Sequence, residues 1–452
     1  MNLLRRLTNL GPGCIDGASL FGCRSSIGRR SVHAVPSCVP AGSPAAGACR
    51  RDPRWVMLNY GVARWNDSAV ADAKTVAESR TSTGRHRLRV SLGLAAPPAS
   101  SFFYYDWPGS ATAGDEGSVS HGYVVAAHGD SVLLNVDHKL GGSSYCTEDY
   151  FVYKTSAAKP PSLSLLPHPA GRLQLSSRDT GLLQRGDGEL LVVQINFNRC
   201  WTDKASIWMH RLGSHEWEAK HSVPIVPGGG SDEKVPHEGL DSYTTVTVGN
   251  RFICSVDYRS GLVVCYMAEE SPKLRYVQLP VIPEDDFGSY EDNCGRNDRH
   301  SWDMCAAGDG AVRFVSIDPR CCCGHSPSRS VCPNSDELFA VTTWKLALTT
   351  EKTMAWVKEN KLDCEELWAL PGYEGLPRAL VEFPVVSSAD PDVVCFMVRE
   401  GGEKWMVEID TRNKAVLSTV RWTSDVPKEA WLVHVSAKLP WLTSAAPGGT
   451  KS

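Results

Sequence analysis

Cys321, Cys322, Cys323, His325 and Cys332 form the one cluster in this sequence that could hold zinc, because thiolate and imidazole ligands at short spacing build tetrahedral sites. The spacing serves such a site poorly. Three adjacent cysteines do not easily point at one metal, and no paired C-x-x-C knuckles occur, so a reduced surface loop is the preferred reading. His215-Glu216 and His237-Glu238 come nearest to a metalloprotease motif, yet neither has a second histidine at helical spacing, and surface loops account for both. Paired carboxylates occur at Glu284-Asp285-Asp286 and Asp363-Cys364-Glu365-Glu366; they could do acid–base work if a pocket drove their pKa values apart, but solvated charge is the simpler expectation. Asn66-Asp67-Ser68 matches a glycosylation sequon and reads as accidental without a secretory route. The sequence holds no P-loop, dinucleotide fingerprint, H-E-x-x-H or G-x-S-x-G elbow. No residue is therefore assigned as catalytic, cofactor-binding or metal-ligating, and no cofactor is expected.

The remaining cysteines, of 16 in all, are expected as reduced, small apolar side chains, most clearly Cys254, Cys265 and Cys395, which sit inside apolar strand-like runs. With 452 residues, 42% hydrophobic and 22% charged, the chain can bury a full globular core. Its net charge of -4 argues against a nucleic-acid partner. No uncharged apolar run approaches the roughly 20 residues of a membrane span.

Residues 1–52 differ from the rest. They are rich in Arg, Ser, Gly, Ala and Pro, and Leu3, Leu7 and Leu10 recur at helical spacing with Arg5 and Arg6 off that stripe. A disordered leader is expected here: either a mitochondrial (or else plastid) presequence, or a plain tail with the protein in cytoplasm or nucleus. Residues 53–445 are expected as one domain and 446–452 as a disordered tail.

Within that domain, short β-rich runs alternate with Gly, Asn, Asp and Pro. TTVTV, RFICSVDY, LVVCYM and LRYVQLP, from Tyr243 to Pro280 and broken at Gly249-Asn250 and Ser260-Gly261, make a four-stranded antiparallel meander. VEFPVV, DVVCFMV, KWMVEID and AVLSTVRW, broken at Asp390-Pro391, Gly401-Gly402 and Asn413, make a second. The apolar runs beginning at Ser131, Leu190, Arg251 and Ala311 are spaced by roughly 60 residues, and Asp392 starts a fifth about 20 residues late, beyond a Cys-rich insert. The fold class predicted is all-β, a β-propeller-like array of four-stranded antiparallel meanders; a β-sandwich pair is the alternative. Five blades are visible, and RHRLRVSLGL with SFFYYDW are placed to supply another, closed by WLVHVSA. Trp208, Trp217, Trp344, Trp356, Trp368, Trp405 and Trp422 are expected mainly to fill the wedges between blades, with some left to anchor a partner.

PRWVMLNYGVARWND, SRTSTGRHRLRVSLGLAAPPASSFFYYDWPG, CTEDYFVYKT with PSLSLLPHP, and above all LWALPGYEGLPRALVEFPVVSSADPDVVCFMVREGGEKWMVEIDTRNKAVLS resemble the plant family named domain of unknown function 1618, expanded in grasses. The resemblance runs from about Pro53 onward, with its most family-specific part at roughly 200–400. It implies a propeller similar in style to kelch and F-box-associated folds, and it carries no catalytic residues across. No helical F-box-like segment precedes it.

The leading expectation for function is a non-enzymatic, monomeric protein-interaction scaffold whose inserts, Gly228 to Gly239, Glu284 to Arg299 and Arg320 to Asp336, bind an unknown protein partner. The alternative is a hydrolase-type enzyme at the channel mouth, and a third reading is redox or metal sensing by the Cys321 to Cys332 loop.

Overall fold

The structure is a computed structural model. It describes residues 54–437 apart from 66–72, 85, 108–117, 140–145, 157–158, 169–174, 177, 187, 199–200, 231–232, 237–239, 270, 282–300, 309, 320–337 and 423–433. All of them fall within the unit Asp52–Ser452.

The chain opens with β1 (Val56–Asn59), β2 (Ala63–Arg64), β3 (Ala77–Arg80), β4 (Arg87–Gly93) and β5 (Ser100–Asp106). Five meanders follow. Blade 1 holds β6 (Ser118–His128), β7 (Ser131–Lys139), β8 (Cys146–Ser156) and β9 (Lys159–Leu165); blade 2 holds β10 (Thr180–Gln184), β11 (Leu190–Asn198), β12 (Trp201–Arg211) and β13 (Trp217–Pro227). Blade 3 is β14 (Thr244–Val248), β15 (Phe252–Asp257), β16 (Gly261–Tyr266) and β17 (Lys273–Gln278). Blade 4 is β18 (Trp302–Ala307), β19 (Ala311–Pro319), β20 (Phe339–Ala347) and β21 (Trp356–Asp363), followed by the short helix α1 (Cys364–Trp368). Blade 5 is β22 (Val381–Val386), β23 (Val393–Glu400), β24 (Glu403–Asp410) and β25 (Ala415–Trp422). The last strand, β26 (His434–Ala437), returns to the beginning of the chain: it pairs antiparallel with β1, giving a sixth sheet in the order β26-β1-β5-β4-β3. The first strands of the six sheets touch in cyclic order, β26, β6, β10, β14, β18, β22 and back to β26. The ring is closed, and the meanders read from the sequence are blades of a propeller-like array rather than a sandwich pair.

Why these residues make blades is visible in the second strand of each. β7, β11, β15, β19 and β23 are the apolar runs whose spacing revealed the repeat, and a strand covered on both faces has no reason to alternate with polar residues. Their side chains do alternate, but between two seams: Val394, Phe396 and Val398 of β23 enter the core shared with blade 4, while Val393, Cys395 and Met397 enter the one shared with blade 6. Each of the six seams has its own apolar cluster. Cys254, Cys265, Cys305 and Cys395 lie in these clusters as buried thiols, and burial pushes the Cys305 thiol up to about 12. Gly401 and Gly402 turn β23 into β24 with φ of 57° and 87°, the left-handed region that a two-residue hairpin demands.

Outer edges are laced as well. β13 and β17 pair in parallel, joining blades 2 and 3 into one eight-stranded sheet. The Arg275 guanidinium donates to the carbonyls of Gly228 (3.2 Å), Thr349 (3.0 Å) and Lys352 (2.8 Å). Glu233 reciprocates by accepting the N–H groups of Gly228 at 3.2 Å, Gln278 at 2.6 Å and Gly229. Only glycine fits at 228, since a Cβ there would come within 2.8 Å of the Tyr276 carbonyl.

Candidate functional site

In blades 1 to 5, meanders that begin at the ring's inner edge, the starts of the innermost strands and the turns between second and third strands share one end of the channel, called here the leading end. The turns after the innermost strands lie at the other, trailing end. Between them is an axial cavity of about 320 Å³, lined by the inner strands of blades 1, 3, 4, 5 and 6. Blade 2 closes against blade 3 instead: Gly181 sits so near Thr245 that a Cβ would reach 2.7 Å from its methyl, and the Thr245 and Thr247 hydroxyls donate to the carbonyls of Arg178 and Leu182.

Two histidines in the lining hold the ring together. His128, the last residue of β6, accepts the N–H of Gln184 in blade 2 through Nδ1 at 3.0 Å and donates to the Gly249 carbonyl in blade 3. Both nitrogens are thereby committed to the neutral imidazole. Burial pushes its pKa below the ordinary histidine value, against smaller opposing pulls from the Gly249 carbonyl and Asp130. Its contribution to stability is present above the unfolded-state value of about 6.5 and is lost as pH falls through the lower folded-state value. Replacing it, His128→Ala, is expected to cost about 1–3 kcal/mol at pH 8, because a donor and an acceptor lose their partner, and to flatten the dependence of stability on pH below about 6.5. Urea titrations at several pH values measure both. His434, the first residue of β26, meets Ser100 Oγ at 2.6 Å and Asn59 Nδ2 at 3.4 Å through Nε2, fastening the closing strand to β5 and β1.

The rim at the leading end carries the chemistry suited to an interface. The guanidinium carbons of Arg178 and Arg259 lie 6.0 and 5.8 Å from the centroid of the half-buried Tyr243 ring, and both arginines are exposed. Burial raises the carboxyl pKa values of Asp179 and Asp257 beside them, with Asp241 adding to both, while hydrogen bonds oppose the rise. Asp257 accepts the N–H of Arg259 at 2.9 Å, that of Asp241 at 3.3 Å and the Ser260 hydroxyl at 2.9 Å, so its carboxylate shapes the turn it sits on.

The groups singled out in the sequence fare differently. His215-Glu216 lies exposed in the β12–β13 turn, a surface loop as expected. Glu365 and Glu366 are exposed, the solvated charge expected, but Asp363 to Glu366 is the N-cap and first turn of α1 rather than a loop; Glu366 accepts the Asp363 N–H at 3.5 Å and Lys414 at 3.0 Å, and Cys364 is fully buried. The described part of the Gly228 to Gly239 insert is tied into blades 3 and 4 by Glu233 and Arg275. The inserts Glu284 to Arg299 and Arg320 to Asp336, with the Cys321 to Cys332 cluster, the sequon Asn66-Asp67-Ser68 and His237-Glu238, lie outside the described residues, as does the leader. Trp217 and Trp356 span seams as expected, their indole N–H groups donating to Pro167 and Gln278 of the neighbouring blades at 2.8 Å each. Trp344 and Trp405 also pack against seam cores, between blades 3 and 4 and between blades 4 and 5, and carry Lys358 and Arg421 over their rings. Arg178, Tyr243, Arg259 and Asp303 were not singled out from sequence, and no local pattern marks them, because they come from three different blades.

The class defined by this fold and site is a six-bladed β-propeller with an axial cavity and an arginine–aromatic rim. Residues 256–395, from the end of β15 into β23, match the family model described as Protein of unknown function (DUF1618), so the resemblance read from the sequence holds over that stretch. No curated protein matches the chain. Among solved structures, an α-L-arabinofuranosidase from Podospora anserina is similar at 10% identity and a TM-score of 0.27, covering 79% of this chain and 91% of that one. A B. megaterium levansucrase is similar at 9% identity and a TM-score of 0.27, over 83% and 94%. A functionally unknown protein from Desulfotomaculum acetoxidans is similar at 11% identity and a TM-score of 0.34, over 84% and 99%. Likenesses this distant carry no argument about activity.

Proposed function

We propose that this propeller is a non-enzymatic binding module that holds a protein partner on its leading rim. The observation that carries this reading is the pair of exposed arginines converging on Tyr243, since Arg and Tyr are the side chains that most often anchor interfaces. Hydrolysis at the channel mouth is the weaker reading, because Asp257, a raised carboxyl on that rim, is engaged in turn hydrogen bonds. The test is affinity purification of the tagged full chain from its native tissue with mass spectrometry, alongside Tyr243→Ala and the double variant R178A/R259A. A stoichiometric partner should fall away by at least about thirty-fold in affinity in either variant, the loss of roughly 2 kcal/mol typical of an anchor. An unchanged set of co-purifying proteins, with melting temperatures also unchanged, would remove the rim from the interface.

A further inference from the structure

We infer that the leading half of the axial cavity is a site for a compact organic cation, an ammonium group carried by a free small molecule or by a methylated lysine side chain. Tyr258, Trp302 and Phe383, from blades 3, 4 and 5, line that half, and Tyr60 lines the wall near blade 1. Aromatic faces attract cations through the ring quadrupole. Among the described lining residues, Asp303, next to Trp302 at the start of β18, is the one carboxylate, and none of them is Lys or Arg. Its Oδ2 accepts the N–H of Val386 at 3.0 Å, which fixes the carboxylate between blades 4 and 5. The cavity is thus aromatic and electronegative, and its volume of about 320 Å³ suits a small ligand.

A second observation points the same way. Phe383 has φ of 51°, a left-handed conformation that a bulky side chain adopts at a cost of about 1–3 kcal/mol. It sits with Pro384 in a break of the β22–β23 register between Glu382 and Val385, so the strand's regular alternation does not set where its ring goes. Strain of this kind in a strand is retained where a side chain must be re-aimed, and here the side chain lines the cavity.

The deciding experiment is isothermal titration of the unaltered full-length protein with choline and with its uncharged isostere 3,3-dimethyl-1-butanol. A peptide bearing trimethyl-lysine, and the same peptide unmodified, form the second arm. The expected result is saturable binding in one arm with Kd at or below about 1 mM, and at least ten-fold weaker binding of the matching uncharged or unmodified control. Which arm responds identifies the source of the ammonium group. Asp303→Asn should weaken the cation by about ten-fold while leaving the isostere unaffected. Equal binding of cation and control, or no saturable heat in either arm up to about 10 mM, would overturn the assignment. Should D303N fail to fold, the isostere comparison still decides, since it uses the unaltered chain.

Discussion

A chain ended just before His434 is expected to lose its cooperative unfolding transition and to fold only when a peptide spanning His434 to Ala437 is supplied in trans. β26 is the innermost strand of the sixth blade, and without it β1 has no antiparallel partner. Val56, Met57 and Leu58 of β1 are fully buried, and Ala437 belongs to the core between blades 6 and 1. Exposing three such side chains costs on the order of 5 kcal/mol at about 1.5–3 kcal/mol each, a large part of the roughly 5–15 kcal/mol that holds a domain folded. The gap also interrupts the ring of inner strands, so the seams beside it, to blades 5 and 1, lose packing together. Calorimetry of the shortened chain with and without the peptide measures the effect. A sharp, unshifted transition without the peptide would mean that the ring does not depend on this closure.

Replacing Asp149 by alanine is expected to destabilise the protein by about 2–4 kcal/mol, since two donors, one of them fully buried, lose the carboxylate that accepts from them. Asp149 and His138 are both fully buried, with His138 Nε2 donating to Oδ2 at 2.9 Å and the Ser82 N–H donating to the same oxygen at 2.9 Å. Ser82 belongs to blade 6 and Asp149 to blade 1, so the carboxylate also bridges the seam where the two ends of the chain meet. Burial pushes the Asp149 pKa up, but the hydrogen bonds from His138 and Ser82 outweigh it and hold the carboxyl below its ordinary value. Its stabilisation is therefore complete above the unfolded-state value of about 3.9 and disappears as pH drops through the folded-state value. That window lies below the one governed by His128, so urea titrations at pH 7, 5 and 3.5, or about those values, separate the two. His168, which reaches the other oxygen at 3.3 Å but is 54% exposed, should change stability by no more than about 0.5 kcal/mol when replaced by glutamine. A loss for D149A no larger than for H168Q would show that the buried pair adds little.

Much of the architecture was legible because a propeller repeats itself. Each second strand is buried on both faces, so it announces itself as an uninterrupted apolar run, and five such runs in register with their turns mark five blades. The sixth was harder to read, since β1, β3, β4 and β5 are out of meander order and β26 lies more than 300 residues away from its partner. At Asp363 to Glu366 the charges are solvated as read, but local signals missed that they open a helix, since a helix start looks like any acidic loop until the chain beyond it is placed. In the Gly228 to Gly239 insert the described residues are loop as read, but no local signal shows that the Gly228 carbonyl is held by an arginine 47 positions away.

Composition, period and turn chemistry by themselves determined the all-β class, the meanders, the buried cysteines and the route by which the C-terminal strand could close the ring. These follow from short-range rules: alternation, two-residue turns, and apolar runs that must leave water. Only the tertiary structure decided the number of blades, the blade 2 and 3 seam that narrows the channel, the commitment of His128 and His434 to architecture, and the meeting of Tyr243 with Arg178 and Arg259. The physical reason is closure. A channel lining takes a few side chains from each of several blades, and their proximity is set by the ring rather than by any spacing along the chain.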